Sequence, residues 1–342
     1  MPRSVAICES SSRPSLRPSG AGVRISRSAT VVVPTVRGGA SLARLLESLR
    51  GQSALLEVLI VSNGAPESAL TGIETEGVRV IRLTENVGYS RAMNLGAREA
   101  RGDALVLLND DCKCEPGYVE AIVGPLDPAS GITMAAGVMA SARDPARIDT
   151  AGIRIGHGLL AFDYLNGEPV AELDRGAPDP MGPSGAAAAF DTQGFLEVGG
   201  FDENLFAYQE DVDLVLRMRL AGTRCRLAPA ARGLHDHSGT LGSGTARKNY
   251  LMGFGRGYLL RKWGVLGNPR RAPSALAADA VICAGQAVFD HNLAGIRGRV
   301  HGYRAATPGH PYPAAVIDAQ PRVPGLLADL RSRAQRRRRL AR

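Results

Sequence analysis

The first third of the chain alternates short apolar runs with stretches whose apolar residues recur at helical spacing. Residues 30–33 form a β-branched run that is closed by Pro34, which is typical of a buried strand. Residues 41–49 carry leucines on one face of a helix. The same patterns predict strands at 57–61, 78–83 and 103–108 and a helix at 86–100. We expect a helix between successive strands, and therefore an α/β fold whose mostly parallel sheet has helices on both faces.

The predicted strands end in polar or turn-forming residues. In parallel sheets the ligand lies beyond the carboxyl ends of the strands. After the first strand the chain reads Pro-Thr-Val-Arg-Gly-Gly, which is neither G-x-G-x-x-G nor a P-loop. This disfavours dinucleotide oxidoreductases and P-loop ATPases. The strand ends that would line one crevice are Pro34-Thr35, Ser62-Asn63-Gly64, Thr84-Glu85-Asn86 and Asn109-Asp110-Asp111.

The last of these ends suggests a cation site. Asp110 and Asp111 follow a buried strand together with the amide of Asn109. Mg²⁺ and Mn²⁺ prefer oxygen ligands and are held by one or two carboxylates together with substrate phosphates. The alternative interpretation is a polar turn that caps the strand, since Asn and Asp are favoured in turns.

Basic residues are concentrated at the two ends of the chain. The 342 residues have a net charge of +8 and the 44% hydrophobic and 22% charged content of an ordinary globular protein. Residues 1–28 hold five arginines, eight serines and one glutamate, and residues 331–342 hold seven arginines and no acid. The rest of the chain is close to neutral, which argues against a nucleic-acid-binding fold. We expect a disordered leader at 1–28 and a basic tail at 331–342.

Cysteine usage and hydropathy indicate the compartment. Five scattered cysteines argue against a disulfide framework and favour a reducing environment. Cys112 and Cys114 have no second cysteine pair nearby, so a zinc site is not expected. There is no apolar signal sequence, and no uncharged apolar run reaches about 18 residues, so no spanning helix is expected. We expect a cytoplasmic protein, either soluble or peripheral at the inner face of the cell membrane.

Several motifs resemble those of one family, in its order and spacing. Before residue 112 they are Val-Val-Val-Pro-Thr, Val-Leu-Ile-Val-Ser-Asn-Gly, Asn-Val-Gly-Tyr-Ser-Arg-Ala-Met-Asn-Leu-Gly and Val-Leu-Leu-Asn-Asp-Asp. Residues 198–214 read Val-Gly-Gly-Phe-Asp-Glu-Asn-Leu-Phe-Ala-Tyr-Gln-Glu-Asp-Val-Asp-Leu, and His-Asp-His-Ser-Gly-Thr begins at position 235. The chain thus resembles the inverting family 2 glycosyltransferases of GT-A fold, and in particular a rhamnosyltransferase-like subgroup. The resemblance implies a GT-A domain at 29–265, with a nucleotide-sugar half at 29–111 and an acceptor half at 112–265.

The resemblance also implies a catalytic pair and a metal site. Asp211 would be the general base that takes the proton of the acceptor hydroxyl, and Glu210 would orient the acceptor or tune that base. Taken alone, acids in a first helical turn merely complement the helix dipole. Asp111 and His235 would bind Mg²⁺ or Mn²⁺, with His237 the less favoured of the two nearby histidines.

Other roles follow from the same resemblance, with some departures from the family pattern. Ser62 replaces a common aspartate, which leaves base recognition open with Asn63 as a substitute, and Asn109 replaces an aspartate of the metal motif. Phe190 stands where basic residues are frequent, so acceptor recognition differs. The acceptor residues would be Gly185, Ala186 and Glu210. The nucleotide-sugar-binding residues would be Pro34, Thr35, Ser62, Asn63, Gly88, Tyr89, Asn94, Asn109 and Asp110.

The C-terminal part lies beyond these motifs. Residues 274–292 are alanine-rich but are interrupted by Asp279, Gln286 and Asp290, so this segment is expected to be amphipathic and not spanning. We expect a helical extension at 266–330, followed by the basic tail. One interpretation is attachment to anionic lipid, which would bring the enzyme to a lipid-linked acceptor. The other is a packed extension with a solvated tail, and nucleic acid is not expected as a partner.

The expected activity is metal-assisted transfer of a sugar with inversion. The resemblance favours rhamnose from a deoxythymidine-diphosphate donor, moved to a hydroxyl of a cell-envelope glycan or glycolipid. A sugar nucleotidyltransferase would share the sheet and the acidic site, but residues 34–40 lack its glycine- and arginine-containing loop. A non-catalytic sugar-nucleotide-binding scaffold is the other alternative. The joint presence of Asp111, Asp211 and His235 argues against it.

Overall fold

A computed structural model of the chain describes residues 27–236, 242 and 244–319. The basic tail, His237 and all of the leader except its last two residues lie outside these ranges. The strands are β1 Ala29–Thr35, β2 Leu55–Asn63, β3 Val78–Leu83, β4 Ala104–Leu108, β5 Cys112–Cys114, β6 Ile132–Ser141, β7 Asp144–Thr150, β8 Ile153–Ile155, β9 Ala161–Asp163, β10 Ala187–Asp191 and β11 Arg224–His235. The helices are α1 Gly39–Leu49, α2 Tyr89–Glu99, α3 Tyr118–Val123, α4 Thr192–Glu197, α5 Glu210–Leu220, α6 Ala246–Lys262, α7 Ala272–Phe289, α8 Ala294–Ala305 and α9 Ala314–Ile317.

The four strands predicted in the first third of the chain are confirmed, and they form one side of a nine-stranded sheet. Within the described ranges the strand order is β3-β2-β1-β4-β10-β6-β11-β5, with β7 paired to β6. β1 pairs in parallel with β2 and β4, and β2 pairs in parallel with β3. One expectation is wrong, because a 3₁₀ turn at Glu67–Ala69 replaces the helix expected between β2 and β3. Gly72 and Gly77 both have positive φ there and divide the connection into turns.

Helices pack on both faces of the sheet, as predicted. Leu42 and Leu45 of α1 belong to one buried apolar layer, and Met93 of α2 belongs to the other. Successive residues of β1 alternate between the layers, with Val31 in the first and Val32 in the second. Because both faces are covered, β4 is apolar along its whole length, and its first polar residues come only where the strand ends.

The sheet reverses direction where the two predicted halves meet. β10 lies antiparallel between β4 and β6, with Ala187 opposite Leu108. The chain therefore enters β10 at the same edge at which it leaves β4. β11 runs parallel to β6, and its last residue, His235, lies opposite Cys112 of β5. The end of β4, the start of β10 and the end of β11 thus meet at one edge of the sheet.

Glycines allow the C-terminal helices α6 and α8 to pack at very close range. A Cβ atom built on Gly302 of α8 would overlap the backbone carbonyl of Phe254 in α6. A Cβ on Gly257 of α6 would overlap the backbone carbonyl of Arg299 in α8. The two helix backbones are therefore in direct contact, and the described part of the extension is helical as predicted.

Gly302→Ala is expected to lower the free energy of unfolding by about 1–3 kcal/mol, because the added methyl group forces two backbones apart. Gly285→Ala in α7 is the matched control, since a Cβ there meets nothing within 4 Å. Helix propensity alone should make that control more stable by up to about 1 kcal/mol. Urea unfolding followed by circular dichroism measures both. Equal effects of the two substitutions would contradict the close packing of α6 on α8.

Helix α7 bears on the expectation that no segment spans a membrane. Its 18 residues are long and apolar enough to cross a membrane, and only 11% of them are buried. The single charged residue of this helix, Asp279, is buried against the protein, so it does not interrupt the exposed apolar surface as the sequence pattern predicts. Buried core helices and signal sequences satisfy the same length and composition criteria. Among the described residues, α7 is the one helix that satisfies them.

Candidate active site

The ends of β1 and β4 are tied together by a hydrogen bond. The Thr35 hydroxyl donates to Asp110 Oδ2 at 2.5 Å, and the Gly38 amide donates to Thr35 Oγ1 at 2.8 Å. Burial raises the pKa of Asp110, and the Thr35 hydrogen bond opposes that rise. Asn109 and Asp111 flank this carboxylate and remain partly exposed at the edge.

Asn63 at the end of β2 shapes the loop that leads into α2. Its Nδ2 donates to Asn86 Oδ1 and to the Gly88 carbonyl, both at 3.1 Å, and its Oδ1 accepts from the Val87 amide at 2.8 Å. The Asn63 side chain therefore makes these three hydrogen bonds within the loop, and both Asn63 and its neighbour Ser62 are buried. None of these hydrogen bonds concerns a nucleotide, so the role of Asn63 in base recognition stays a prediction.

Asn94 lies in the middle of α2, away from the strand ends. Its Nδ2 donates to the Phe201 carbonyl and its Oδ1 accepts from the Phe201 amide, each at 2.8 Å. This pair of hydrogen bonds fastens α2 to the start of the 198–214 motif. The structure does not bring Asn94 to the predicted crevice. The other predicted nucleotide-sugar-binding residues lie at strand ends or at the start of α2, and they are Pro34, Thr35, Ser62, Asn63, Gly88, Tyr89, Asn109 and Asp110.

The start of α2 contacts both later motifs. The Tyr89 amide donates to the Phe206 carbonyl at 2.6 Å, and the Tyr89 hydroxyl donates to the Gly185 carbonyl at 2.9 Å. Gly88 has φ of 92°, and a Cβ there would lie 2.6 Å from the Phe206 oxygen. Only glycine fits this approach, which accounts for the glycine of the Asn-Val-Gly-Tyr motif.

A strained turn presents the acidic pair. Tyr208 and Gln209 both have left-handed φ, at 70° and 73°, immediately before α5 begins at Glu210. Two consecutive non-glycine residues in this region are costly and are found mainly at functional sites. Gly255 of α6 packs against this turn, since a Cβ there would lie 2.7 Å from the Tyr208 carbonyl. Glu210 and Asp211 occupy the first turn of α5, as predicted.

The two carboxyl groups differ in their surroundings. Glu210 is 8% exposed, and its Oε2 has no hydrogen-bond partner among the described residues. Burial, followed by the nearby charge of Asp211, raises the pKa of Glu210 to about 8. Burial also raises the pKa of Asp211, but the amides of Val212 and Gly185 donate to its carboxylate and oppose the rise. Burial thus favours the protonated form of Glu210 at neutral pH, whereas backbone hydrogen bonds favour the charged form of Asp211.

This assignment predicts a stability difference that depends on pH. The folded state keeps the Glu210 proton that the unfolded state loses above the ordinary value of 4.5, so Glu210 should lower stability as pH rises toward 8. Glu210→Gln removes that loss. The free energy of unfolding of the variant, relative to that of the native protein, should therefore rise by on the order of a few kcal/mol between acid and alkaline pH. Urea unfolding across this range, with exposed Glu197→Gln as control, measures it. A gain that is the same at every pH would contradict the buried proton.

His235 joins the end of β11 to the end of β4. Its Nε2 lies 3.1 Å from Asp111 Oδ1, and its Nδ1 lies 2.8 Å from Asp149 Oδ2. The Asp236 amide donates to the Asp111 carbonyl at 3.0 Å, so the backbone holds the two residues in register. Burial lowers the pKa of His235, and the hydrogen bonds with Asp111 and Asp149 raise it to a net value of about 9. Asp149, which follows no recognisable motif and reaches the site from β7, is not among the residues predicted from the sequence.

Asp111 and His235 would fit a divalent cation once the cation displaces the His235 proton that Asp111 and Asp149 stabilise. Ligands at about 2.1 Å in an octahedral site are about 3.0 Å apart when adjacent, close to the separation of these two atoms. Cys112 Sγ is near them, all three ligand atoms lying within 4.8 Å of one another. Burial raises the pKa of the Cys112 thiol well above its usual value, and a protonated thiol is a poor ligand for Mg²⁺ or Mn²⁺. The contact from Asp149 is the support that metal-bound histidines commonly receive.

The loop before β10 lies between the acidic pair and the His235 cluster. Gly185 lies beside the acidic pair, since a Cβ there would be 3.9 Å from Glu210 Oε1, and its carbonyl accepts from the Tyr89 hydroxyl. The Ala186 carbonyl accepts from Cys112 Sγ at 3.6 Å, next to Asp111. The Ser184 hydroxyl is buried and makes no hydrogen bond within the described ranges. The structure therefore brings together the predicted base, the predicted acceptor loop and the predicted metal ligands.

Comparison with known sequences places this chain among the glycosyltransferases. Residues 30–148 match the family model described as Glycosyl transferase family 2. The chain is 31% identical over 243 residues to the N-acetylglucosaminyl-diphospho-decaprenol L-rhamnosyltransferase of Mycobacterium tuberculosis, covering 62% of this chain and 77% of that protein. It is 29% identical over 234 residues to the pre-mycofactocin glycosyltransferase of the same organism, covering 66% of this chain. The chain spans only 46% of the length of that second relative.

Solved structures support the fold. A structure of GalNAc-T7 with UDP, GalNAc and Mn²⁺ superposes with a TM-score of 0.58 at 15% identity, covering 82% of this chain and 55% of that one. The mannosyltransferase PcManGT from Pyrobaculum calidifontis, in complex with GDP-Man and Mn²⁺, superposes with a TM-score of 0.50 at 17% identity, covering 86% and 79%. At these identities the likeness concerns the fold, which is of the GT-A type expected from the motifs.

Proposed function

We propose, from the premise that this chain belongs to glycosyl transferase family 2, that it transfers a sugar from a nucleoside-diphosphate sugar to an acceptor hydroxyl with inversion. One observation carries the proposal. The Gly185–Ala186 loop lies beside the acidic pair on one side and hydrogen-bonds to the neighbour of Asp111 on the other. A donor diphosphate at Asp111 and an acceptor hydroxyl at Asp211 would therefore meet across this loop.

Asp211 acts as the general base in this proposal. It is partly exposed and backbone hydrogen bonds favour its charged form, whereas Glu210 beside it is buried and keeps its proton. A base must carry a free electron pair and reach the proton that it removes, and Asp211 meets both conditions. Glu210 is suited to donate a hydrogen bond to the acceptor, because its proton is retained and its Oε2 has no partner among the described residues.

The proposed cation site consists of Asp111 Oδ1 and His235 Nε2, with Asp149 as a positioning residue. A bound Mg²⁺ or Mn²⁺ would supply positive charge to the diphosphate leaving group. The chain itself provides a carboxylate, an imidazole held at both ends and the Thr35–Asp110 contact that fixes the adjacent strand end. The Mn²⁺ in the two superposed structures supports this cofactor class.

The relatives support a narrower choice of substrates. The 31% identical relative is named as an L-rhamnosyltransferase acting on a decaprenol-linked sugar. We propose rhamnose from its deoxythymidine-diphosphate donor as the transferred sugar, and a cell-envelope glycan or lipid-linked glycan as the acceptor. Such a reaction would take place on the cytoplasmic side of the cell membrane. Ser62, where an aspartate is common, leaves room for a different base contact than in most of the family.

The proposal is tested by incubating the purified chain with Mn²⁺ or Mg²⁺ and a panel of nucleotide sugars, with and without lipid-linked acceptors. Release of nucleoside diphosphate that depends on an acceptor is the expected result. Turnover that depends on pyrophosphate would instead identify a sugar nucleotidyltransferase. Donor binding by calorimetry without release of nucleoside diphosphate from any pair of substrates would identify a non-catalytic scaffold.

Asp149→Asn is expected to weaken Mn²⁺ binding by about 10–100-fold, because the amide no longer fixes the orientation and basicity of His235. Isothermal titration calorimetry with Mn²⁺ alone measures this without any reaction. Asp144→Asn, at the start of the same strand β7, is the matched control and should leave the affinity unchanged. An unchanged affinity in Asp149→Asn, with the fold intact, would remove Asp149 from the site.

A further inference from the structure

Helix α7 presents Asp279 and Gln286 to the protein and most of its apolar residues to the outside. Asp279 is 6% exposed, and its carboxylate accepts from Arg256 Nε and Arg299 Nε, each at about 3.0 Å. Gln286 is directed toward α8, where a Cβ on Gly295 would overlap its Oε1. In an amphipathic helix on a water-soluble surface these orientations are reversed. The outward side of α7 is therefore suited to an apolar environment.

The exposed residues of α7 carry no charge. Ala277, Val281, Ala284 and Val288 follow one another at helical spacing on the exposed side. At the end of the helix Val288 is 62% exposed and Phe289 is 76% exposed. Single exposed apolar residues are ordinary, but an uncharged stripe along about three helical turns marks an interaction surface.

Helix α8 continues this surface and adds positive charge. Ile296, Val300 and Tyr303 are exposed at helical spacing, and Leu293 is exposed in the preceding connection. Arg297 and Arg304 are also exposed on this helix, and each directly follows an exposed apolar residue, Ile296 or Tyr303. The α7–α8 face is defined here by Val281, Val288, Phe289, Leu293, Ile296 and Val300.

We propose that the α7–α8 face docks on an anionic lipid bilayer, with both helices lying in the interface and neither crossing it. Apolar side chains beside exposed arginines are the combination that binds such interfaces. Among the described residues of 272–305 the two acids face inward, Asp279 to its arginines and Asp290 to the Asn249 amide at 2.9 Å. The surface that remains is cationic, which complements anionic headgroups.

The contacts of Asp279 argue against a spanning helix. Arg256, which holds Asp279, is 3% exposed in α6 and also donates to the Gly158 carbonyl at 2.7 Å. Pulling α7 across a bilayer would break this buried ion pair and leave both charges unpaired. Contact from one side keeps the ion pair and still covers the apolar stripe.

Charge also favours lipid over a second copy of the chain. Two α7–α8 faces brought together would bring four exposed arginines, Arg297 and Arg304 of each copy, into one interface with no exposed acid from the same helices. Anionic headgroups would neutralise these arginines, whereas a second copy would add like charge. The face does not depend on the proposed reaction, since its residues lie outside the acidic pair and the His235 cluster.

Vesicle co-sedimentation of the full chain tests the proposal. Vesicles contain either equal parts of phosphatidylglycerol and phosphatidylcholine or phosphatidylcholine alone. The native chain is expected to bind the anionic vesicles and to bind the neutral ones far more weakly. Val288→Glu with Phe289→Glu should lower binding by about tenfold or more, because two apolar side chains no longer enter the interface. Leu56→Glu with Leu220→Glu changes two exposed apolar residues elsewhere and should bind like the native chain.

The remaining outcomes contradict the proposal and identify the alternative. Equal binding by the Val288/Phe289 variant and the native chain would assign any attachment to another segment, such as the basic tail. Resistance of bound chain to alkaline carbonate would indicate a spanning helix. Light scattering that shows a dimer abolished by the Val288/Phe289 variant, without vesicle binding, would assign the face to a second copy. Circular dichroism confirms that each variant is folded, and failure of the nucleotide-sugar assay would leave the vesicle result unaffected.

Discussion

Asp211→Asn is expected to lower the rate of sugar transfer by about 10²–10⁴-fold while leaving donor affinity nearly unchanged. The amide keeps the size and the hydrogen-bond acceptor of the carboxylate but cannot take the acceptor proton. The Val212 amide donates to Asp211 in the native chain, and the amide oxygen of asparagine can accept from it. Steady-state release of nucleoside diphosphate gives the rate, and calorimetry with the donor and Mn²⁺ gives the affinity.

Glu197→Gln on α4 is the matched control for Asp211→Asn. It removes one carboxylate from an exposed position whose side chain contacts only Gln193 among the contacts described. Its activity should equal that of the native chain. A large loss of donor affinity in Asp211→Asn would assign Asp211 to donor binding and would refute its role as base. A full rate in Asp211→Asn would leave Glu210 as the remaining candidate.

Asp111→Ala is expected to weaken Mn²⁺ binding by more than about 100-fold, since loss of a direct ligand exceeds the cost of losing a supporting residue. Transfer should fall by about 10³-fold or more, because the charge on the leaving diphosphate is no longer compensated. Calorimetry with Mn²⁺ alone separates binding from turnover. Excess Mn²⁺ should restore part of the rate if His235 still binds the ion.

Cys112→Ser controls for the neighbouring thiol. Cys112 Sγ lies close to both proposed ligands, but its raised pKa keeps it protonated. Substitution by serine should therefore leave the Mn²⁺ affinity close to that of the native chain. The reverse pattern, with affinity lost in Cys112→Ser and kept in Asp111→Ala, would replace Asp111 by Cys112 as the ligand.

Much of the donor half could be predicted because its signals are local. A β-branched run ending in proline and a leucine stripe are each a property of one segment, and β1 and α1 appear within two residues of the predicted bounds. Asp111 and Asp211 were assigned from the family resemblance, since the local pattern alone is also that of a polar turn and of acids that complement a helix dipole. Each stands directly after or within a regular element, so its position follows once that element is recognised.

Residues whose roles depend on distant partners could not be predicted. Asp149 contacts His235 across 86 positions of sequence, and no spacing rule connects them. Asn94 was grouped with the donor residues because its motif begins α2, yet its partner Phe201 lies 107 positions later. That α7 turns its apolar side outward could not be predicted for the same reason. Asp279 interrupts the apolar sequence pattern, but its partners Arg256 and Arg299 hold it against the protein.

The reversal of strand direction between β4 and β10 has a consequence for how the protein moves. Because β10 bonds directly to β4, both predicted halves belong to a single hydrogen-bonded sheet. A hinge between two rigid bodies would have to break that strand pairing, so closure of one domain over another is not available within this sheet. Protection of the substrates from water must come from local ordering of the segments at the strand ends. Substitutions that change how well the substrates are shielded from water should therefore lie in those short segments. An insertion between residues 111 and 112 should prevent folding and not merely slow turnover.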